Sequence, residues 1–499
     1  MGVIQRQGLK HTIVSYFGVV IGLFSTIFIY PRIPELYGLF KVIIDATMLS
    51  VSFFSLGLST HAVKFFPKFK DLKTGHHGFL GFLLIGSSIG FLFFLICLPL
   101  IRYFLLDVLL KESESIDLLT EYFYYLVPMV FLFTFNAIFY KYVSNFKRIV
   151  IPNIFELFIK ITVPVLALLF LGKYIGTQFF VIGVILNYVL VLIGFLIYTK
   201  SLGQLFFRLN LNFIKTPLRK EIQKFSLFGL LNALGSQLAF KIDTLMVAGM
   251  INVASSGIYG IALVITEVIS KPAKGIIAIS SPIISASWEA NDLAHIKMIY
   301  QKSSTVLLII GWFVFLGIWG SINDLFEVMP NSEMVTTGVN VILFLGLAKL
   351  VDLATSLNTD IIGFSKKYQF NFYALFVLAI LNIVFNLYFI PKYGIVGSAI
   401  ATFCSLSLFN LVKLIFIWVN FKMQPFTFAT VKILLLAGLC WAMMYFIPFN
   451  FHPIVNIMLR SILLTIVYGG LTLYLEISPD VNGMVRSGLD KLKNFVGNK

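Results

Sequence analysis

Charge is what this chain has least of. Asp, Glu, Lys and Arg together make up 12% of its 499 residues, against roughly a quarter in a soluble domain. The complement is 59% hydrophobic residues and a mean hydropathy of +0.94, which excludes an ordinary soluble enzyme. Cysteine is also scarce. Cys97, Cys404 and Cys440 have no pair spacing and no metal motif, so their expected role is apolar packing. No G-x-x-x-x-G-K-[ST] loop occurs; Gly172-Lys173 lacks the upstream glycine and is followed by Tyr174. ATP hydrolysis is therefore not expected, nor is any cofactor or metal. There is no D-x-D and no large extramembrane loop. His76-His77 lies beside Gly75 and Gly78 with only Asp71 near it, and reads as a solvated turn rather than a metal site.

What is present is a series of apolar runs of about 20 residues, the length that crosses ~30 Å of hydrocarbon as a helix. Fourteen spans are expected, at about 12–30, 42–66, 78–101, 121–142, 149–171, 178–199, 224–249, 255–280, 303–321, 335–362, 370–390, 395–420, 430–447 and 455–475. The runs are continuous rather than alternating, which favours helices over a β-barrel. The fold class is all-α and integral to a membrane. The first span has no small-residue cleavage site and is expected to be retained.

The net charge of +16 does not mark a nucleic-acid binder, because the cations are spread over many short loops with no basic, aromatic-interleaved face. It is a topology signal. With both termini cytoplasmic, 24 Lys and Arg fall on inner loops and the tail, from Arg6 and Lys10 to Lys499. Six fall on outer loops: Arg32, Lys41, Arg102, Lys111, Lys173 and Lys392. The positive-inside rule reads that split as cytoplasmic termini and an even number of spans.

The spans also repeat. Tyr37-Gly38 opens span two and Tyr259-Gly260 opens span eight, 222 residues later; Lys173-Tyr174 and Lys392-Tyr393 are 219 apart. Both offsets equal six spans, so the expected layout is a bundle over 1–200, a linker at 201–223, a second bundle over 224–422, two further helices over 423–478 and a tail at 479–499. The two bundles would share one membrane orientation. Leu202, Leu205, Phe206 and Leu209, and in the tail Val485, Leu489, Leu492 and Phe495, recur at helical spacing among cations, which predicts helices on the inner surface.

The segment from Asn382 and Asn386 through Pro391-Lys392-Tyr393-Gly394 to Gly397-Ser398-Ala399 and Ala401-Thr402 resembles the span-eleven/twelve signature of the polysaccharide exporters. Lys241-Ile242-Asp243, Gly257-Ile258-Tyr259-Gly260, Pro272 and Pro282 resemble their span-seven/eight region, and Pro34-Glu35-Leu36-Tyr37-Gly38 with Leu56-Gly57-Leu58 their first hairpin. The nearest type is the O-antigen (Wzx-type) flippase of the MOP superfamily, which also holds MATE multidrug exporters and the lipid II flippase. The resemblance implies a V-shaped pair of bundles that moves undecaprenyl-pyrophosphate-linked oligosaccharide across the cytoplasmic membrane by alternating access. Its partners would be the lipid-linked oligosaccharide, membrane lipids, and a polymerase with other glycan-assembly proteins. A MATE-like drug exporter or lipid II exporter is the alternative, and a membrane-embedded glycan polymerase or glycosyltransferase is weaker. Many MATE exporters carry a coupling Asp in span one, which here has no acid.

Charges inside the spans are expensive, about 2.5–3.5 kcal/mol each on insertion scales. Lys64, Lys274, Lys413 and Arg460 lie near span ends and are expected to snorkel. Lys160, Glu267 and Lys349 lie near span centres. Glu156/Lys160 and Glu267/Lys271 are spaced i,i+4, and Lys349/Asp352 i,i+3, so each pair can meet on one helix face. Lys241, Lys271 and Lys349 are the expected pyrophosphate-binding cations, since lysine suits transient phosphate contact. Asp243, Glu267, Asp352 and Asp360 are the candidate ion-coupling or cavity acids, and Glu156 with Lys160 a cavity pair. Asn136, Asn187, Asn232, Gln237 and Asn358 offer hydrogen bonds to sugars or, equally, to neighbouring helices.

Overall fold

A computed structural model describes residues 3–146, 150–207, 218–447, 450–483 and 485–486. The chain is a multi-pass helical membrane protein. Its main helices are α1 (Val3–Phe28), α2 (Pro34–Phe54), α3 (Phe79–Arg102), α4 (Leu126–Ser144), α5 (Val150–Leu171), α6 (Thr177–Ser201) and α7 (Leu218–Met250). They continue as α8 (Val253–Glu289), α9 (Leu293–Gly320), α10 (Val339–Thr355), α11 (Gln369–Tyr393), α12 (Ile395–Phe421), α13 (Phe428–Phe446) and α14 (Pro453–Leu464). Among the described residues twelve helices are long and apolar enough to span, or thirteen if α10 and its continuation count as one span. That continuation, Asn358–Phe364, is bent 43° from α10. The seventh expected span lies within α7, which has 33 residues but carries Lys241 and Asp243 and is not among the twelve.

The ends of the helices follow local chemistry. Asp292 caps α9 by accepting from the His295 amide at 2.9 Å. Thr427 and Thr430 form a reciprocal capping box at the start of α13. Gly394 alone separates α11 from α12, at φ +58°, a backbone region open to glycine. Gly397 then packs so closely that a Cβ would overlap the Phe389 carbonyl. The signature around Tyr393-Gly394 is thus a tight helical hairpin. Many hydroxyls within the helices bond their own backbone, as Ser50 does to the Ala46 carbonyl at 2.9 Å and Thr134 to the Val130 carbonyl at 2.7 Å. Such groups need no ligand.

Two compact units divide at Ile261/Ala262, within α8. In the first, α2 packs on α4 and α7, α1 on α5, and α6 on α4 and α5. A core of Phe65, Phe66, Phe79, Phe139, Tyr142 and Phe195 fills one end. His76 is part of that end. It is buried, with Nε2 2.6 Å from Gln204 Oε1 and Nδ1 accepting from the Asp71 amide at 3.1 Å. A bonded core histidine replaces the expected solvated turn there. After α6 the chain turns at Gly203, φ +66°, and residues 204–207 are not helical. The rest of the expected surface helix through Leu209, and Leu489, Leu492 and Phe495 of the tail, lie outside the described residues.

In the second unit α10 packs on α9 and α12, α11 on α12, and α9 on α13. Arg460 does not snorkel. Its Nη1 lies 3.4 Å from Asp324 Oδ2 and also donates to the Gly320 carbonyl. Asn456 donates to Asp324 Oδ1 at 2.8 Å. The pair docks α14 on the short helix Ile322–Val328 that follows α9.

The starts of α2 and α8 cross through glycine, with no side chain between the backbones. A Cβ on Gly38 would overlap the Val253 carbonyl, and one on Gly257 the Pro34 carbonyl. Gly38→Ala is expected to lower stability by about 1–3 kcal/mol through overpacking. Thermal unfolding of the detergent-purified protein measures this, with Gly22→Ala as control because a Cβ there meets nothing.

Candidate functional site

In the first unit two lysines converge on one carboxylate. Asp45 sits four residues after Lys41 on α2 and is fully buried, at 0% exposure. Lys41 Nζ is 3.3 Å from its Oδ2, and Lys241 Nζ, on α7, is 3.6 Å from its Oδ1. Among the described residues neither carboxylate oxygen has a hydrogen-bond partner, so the two ammonium groups are what offset its charge. Lys41 is therefore a residue within a helix, not the outer-loop cation that topology counting made it. Lys241, an expected phosphate ligand, is paired with Asp45 in this structure, with a third of its side chain exposed. Two residues on from it, Asp243 is buried and accepts from the Tyr259 hydroxyl at 3.2 Å. Tyr37 stacks on Tyr30 with ring centroids 4.1 Å apart, and a Cβ on Gly260 would press on Tyr37 and Lys41.

In the second unit the cation excess is larger, with one acid among three lysines. Glu267, on α8, has Lys271 Nζ at 3.4 Å and Lys274 Nζ at 3.9 Å from its Oε1. Lys349 of α10 also acts on it electrostatically. The group carries a net charge of about +2 when all four are ionised. Pro272 lies between Lys271 and Lys274, and its missing N–H interrupts the α8 ladder. Lys274 is exposed and the other three are partly so, which leaves the lysines open to an anionic ligand. The expected in-helix pair of Lys349 with Asp352 does not form among the described residues. Asp352 accepts from Asn410, and Lys349 acts on Glu267 through space.

The other two candidate acids gather where α10 breaks, at Ser356-Leu357. Asn410 of α12 donates to Asp352 Oδ1 at 3.4 Å and accepts from Thr355 Oγ1 and Asn358 Nδ2, both at 2.8 Å. Thr359 Oγ1 donates to Asn358 Oδ1 at 3.1 Å and receives Lys413 Nζ at 2.8 Å. Ser281 of α8 bonds Asp360, and Lys413 feels both Asp352 and Asp360. Lys413 does not snorkel: it is 2% exposed. Its position near the end of a span pointed outward; the polar break in the next helix drew it inward.

Glu156 and Lys160 pair on α5 at 2.9 Å, both partly open to solvent. A Cβ on Gly18 of α1 would touch Lys160. Asn136 donates to the Tyr188 carbonyl at 3.1 Å, and Asn358 belongs to the α10 break, so both hold helices together. Among the described residues Asn187 Nδ2 and Gln237 Oε1 are buried without a hydrogen-bond partner. The Asn232 side chain lies outside the described residues. Among the described residues no three His, Cys, Asp or Glu are grouped to hold a metal ion.

Removing one partner of a buried pair leaves the other charge stranded, which costs about 3–5 kcal/mol when nothing else compensates. Lys41 remains in Lys241→Met, so a loss of about 1–3 kcal/mol is expected from that fraction of the penalty. Asp45→Asn together with Lys241→Met is expected to recover most of it. A double-mutant cycle on thermal unfolding in detergent checks the coupling; additive losses would contradict the pairing.

The chain matches no protein-family model, and no curated sequence matches it. Its likenesses are to solved structures. A lipid II flippase MurJ in an inward closed conformation aligns with a TM-score of 0.72 at 17% identity, over 94% of this chain and 99% of that one. An inward-facing multidrug resistance MATE family transporter of the MOP superfamily aligns at 0.61 and 14% identity, over 82% and 94%. A MOP superfamily transporter from Pyrococcus furiosus gives 0.54 at 13% identity, over 84% and 95%. These neighbours are transporters and flippases, and the helical fold described above is the fold of MOP superfamily transporters.

Proposed function

We propose that this chain is a flippase of the bacterial cytoplasmic membrane that moves undecaprenyl-pyrophosphate-linked oligosaccharide to the outer leaflet. The observation that carries the reading is the cation excess of Lys271, Lys274 and Lys349 around Glu267. A pyrophosphate headgroup brings the negative charge that such a cluster lacks, and flexible ammonium groups hold phosphate without the fixed geometry of an arginine fork. Glu267 competes for the same lysines and so keeps the headgroup from binding too tightly. The Lys41–Asp45–Lys241 cluster has one lysine in excess of its buried carboxylate, a smaller surplus than the Glu267 group, and its part is to hold α7 against α2. The prenyl tail stays in the bilayer. The N- and C-termini are cytoplasmic and the chain works without a cofactor as a transporter, not an enzyme.

A second reading, export of lipid II itself, is favoured by the likeness to MurJ over 99% of that protein's length. Lipid II offers the same pyrophosphate, and the two readings differ in the sugar. Drug export of the MATE kind has less support, because that likeness covers 82% of this chain.

Lys349→Ala is expected to reduce surface glycan at least fivefold in a strain that depends on this exporter, with lipid-linked glycan accumulating on the cytoplasmic side. Lys349→Arg is expected to restore part of it, since the charge remains. Immunoblotting of surface glycan and mass spectrometry of lipid-linked intermediates provide the measurement. Full surface glycan in both variants removes Lys349 from the site. Rescue of a lipid II flippase deficiency instead of a glycan defect selects the second reading.

A further inference from the structure

Lys413 is a buried lysine in an unusual position. It is 2% exposed, and among the described residues no carboxylate oxygen lies within ion-pair distance of its Nζ. Its hydrogen bond runs to a hydroxyl, Thr359 Oγ1, at 2.8 Å. A hydroxyl both accepts and donates. Its own hydrogen goes to Asn358 Oδ1, so Thr359 Oγ1 accepts from Lys413; a neutral amine keeps two N–H groups and can go on donating, so this contact survives a change of protonation. Burial works against the charged form, and the other neighbours offset part of that cost. Nζ lies over the Phe409 ring, 4.2 Å from its centroid, and Asp352 from α10 and Asp360 from its continuation act on it at longer range. On α11 the charged Lys392 lies at the far end of the helix, and Lys367, just before α11, is tied to Asn420. Asp352 is exposed and Asp360 partly so, so the cluster has an open side at its two carboxylates. The cluster also sits on the one bent helix pair found among the described residues, Val339–Thr355 with Asn358–Phe364. A change in charge at Lys413 therefore acts directly on a break in a helix.

We propose that Lys413 is the proton-loading site that couples transport to a proton gradient, a role that rests on reading this chain as an exporter. On one side of the cycle the neutral amine takes a proton from hydronium: an N–H bond forms, an O–H bond breaks and water is released. On the other side the ammonium returns a proton to water. Thr359 holds the nitrogen in both forms, and the carboxylates of Asp352 and Asp360 stabilise the loaded state. Loading and unloading change the charge at the α10 break, and the bend between α10 and its continuation is the element that responds.

The test uses the full chain in proteoliposomes with a fluorescent polyprenyl-pyrophosphate disaccharide, its leaflet read by a membrane-impermeant quencher, and a pH dye inside. The wild type is expected to move the probe at least fivefold faster with a one-unit pH gradient than without, and to move protons with it. Lys413→Arg keeps the charge but does not release a proton at working pH. It is expected to insert and unfold like the wild type while losing the gradient response. Lys413→Met is expected to lose the response as well, and Asp360→Asn to reduce it. A Lys413→Arg variant that responds like the wild type makes the role structural and overturns the inference. So does a gradient response that persists in Lys413→Met. A wild type that moves the probe at a rate indifferent to pH sinks the inference and leaves the exporter reading standing. A wild type that moves no probe sinks both.

Discussion

An ionised side chain in hydrocarbon must find compensation, and the interior of this protein is arranged around that requirement. Asp45 meets Lys41 and Lys241. Asp324 meets Arg460, and Glu267 meets Lys271 and Lys274. The clusters differ in their surplus, and the surplus separates scaffold from site. Asp45 with its two lysines is left with a surplus of one charge, and both lysines are held to a fully buried carboxylate. The Glu267 group has lysines to spare and is open to a ligand. Lys413 has neither a close acid nor solvent, and its neighbours hold it by a hydroxyl and a ring face.

The fold was largely legible from residue order because apolar length alone decides what can cross a bilayer. The hairpin at Gly394 could also be anticipated, since a lone glycine after Pro391 and Tyr393 marks a tight reversal. Contacts within one helix were legible for the same local reason: Glu156/Lys160 and Glu267/Lys271 are spaced to meet, and they do. Lys349/Asp352 had the right spacing as well, yet no ion pair forms among the described residues: Asp352 accepts from Asn410 of α12 and Lys349 acts at longer range on Glu267 of α8.

Contacts between helices were not legible. Nothing near Lys241 in sequence names Asp45, and nothing near Arg460 names Asp324. Lys413 shows the weakness of reasoning from depth along a span. Distance from the helix end says whether a lysine can reach water, but the orientation of the face decides whether it does. The signal that could have found it was the density of Asn, Thr and Asp over residues 352–360, too polar a stretch for an unbroken apolar helix and an obvious partner for a buried cation on the neighbouring one.

The Asp45 cluster has a consequence for how the protein is made. Its partner Lys241 lies nearly 200 residues downstream, so at about 5–20 residues per second α2 is synthesised roughly 10–40 s before α7. Through that interval Asp45 must be tolerated in the membrane or the insertion machinery with the help of its own helix. Lys41, one turn away at 3.3 Å, is the escort that is already there. The order in which the two lysines reach Asp45 makes the first a chaperone within the chain and the second the lock that closes when α7 docks.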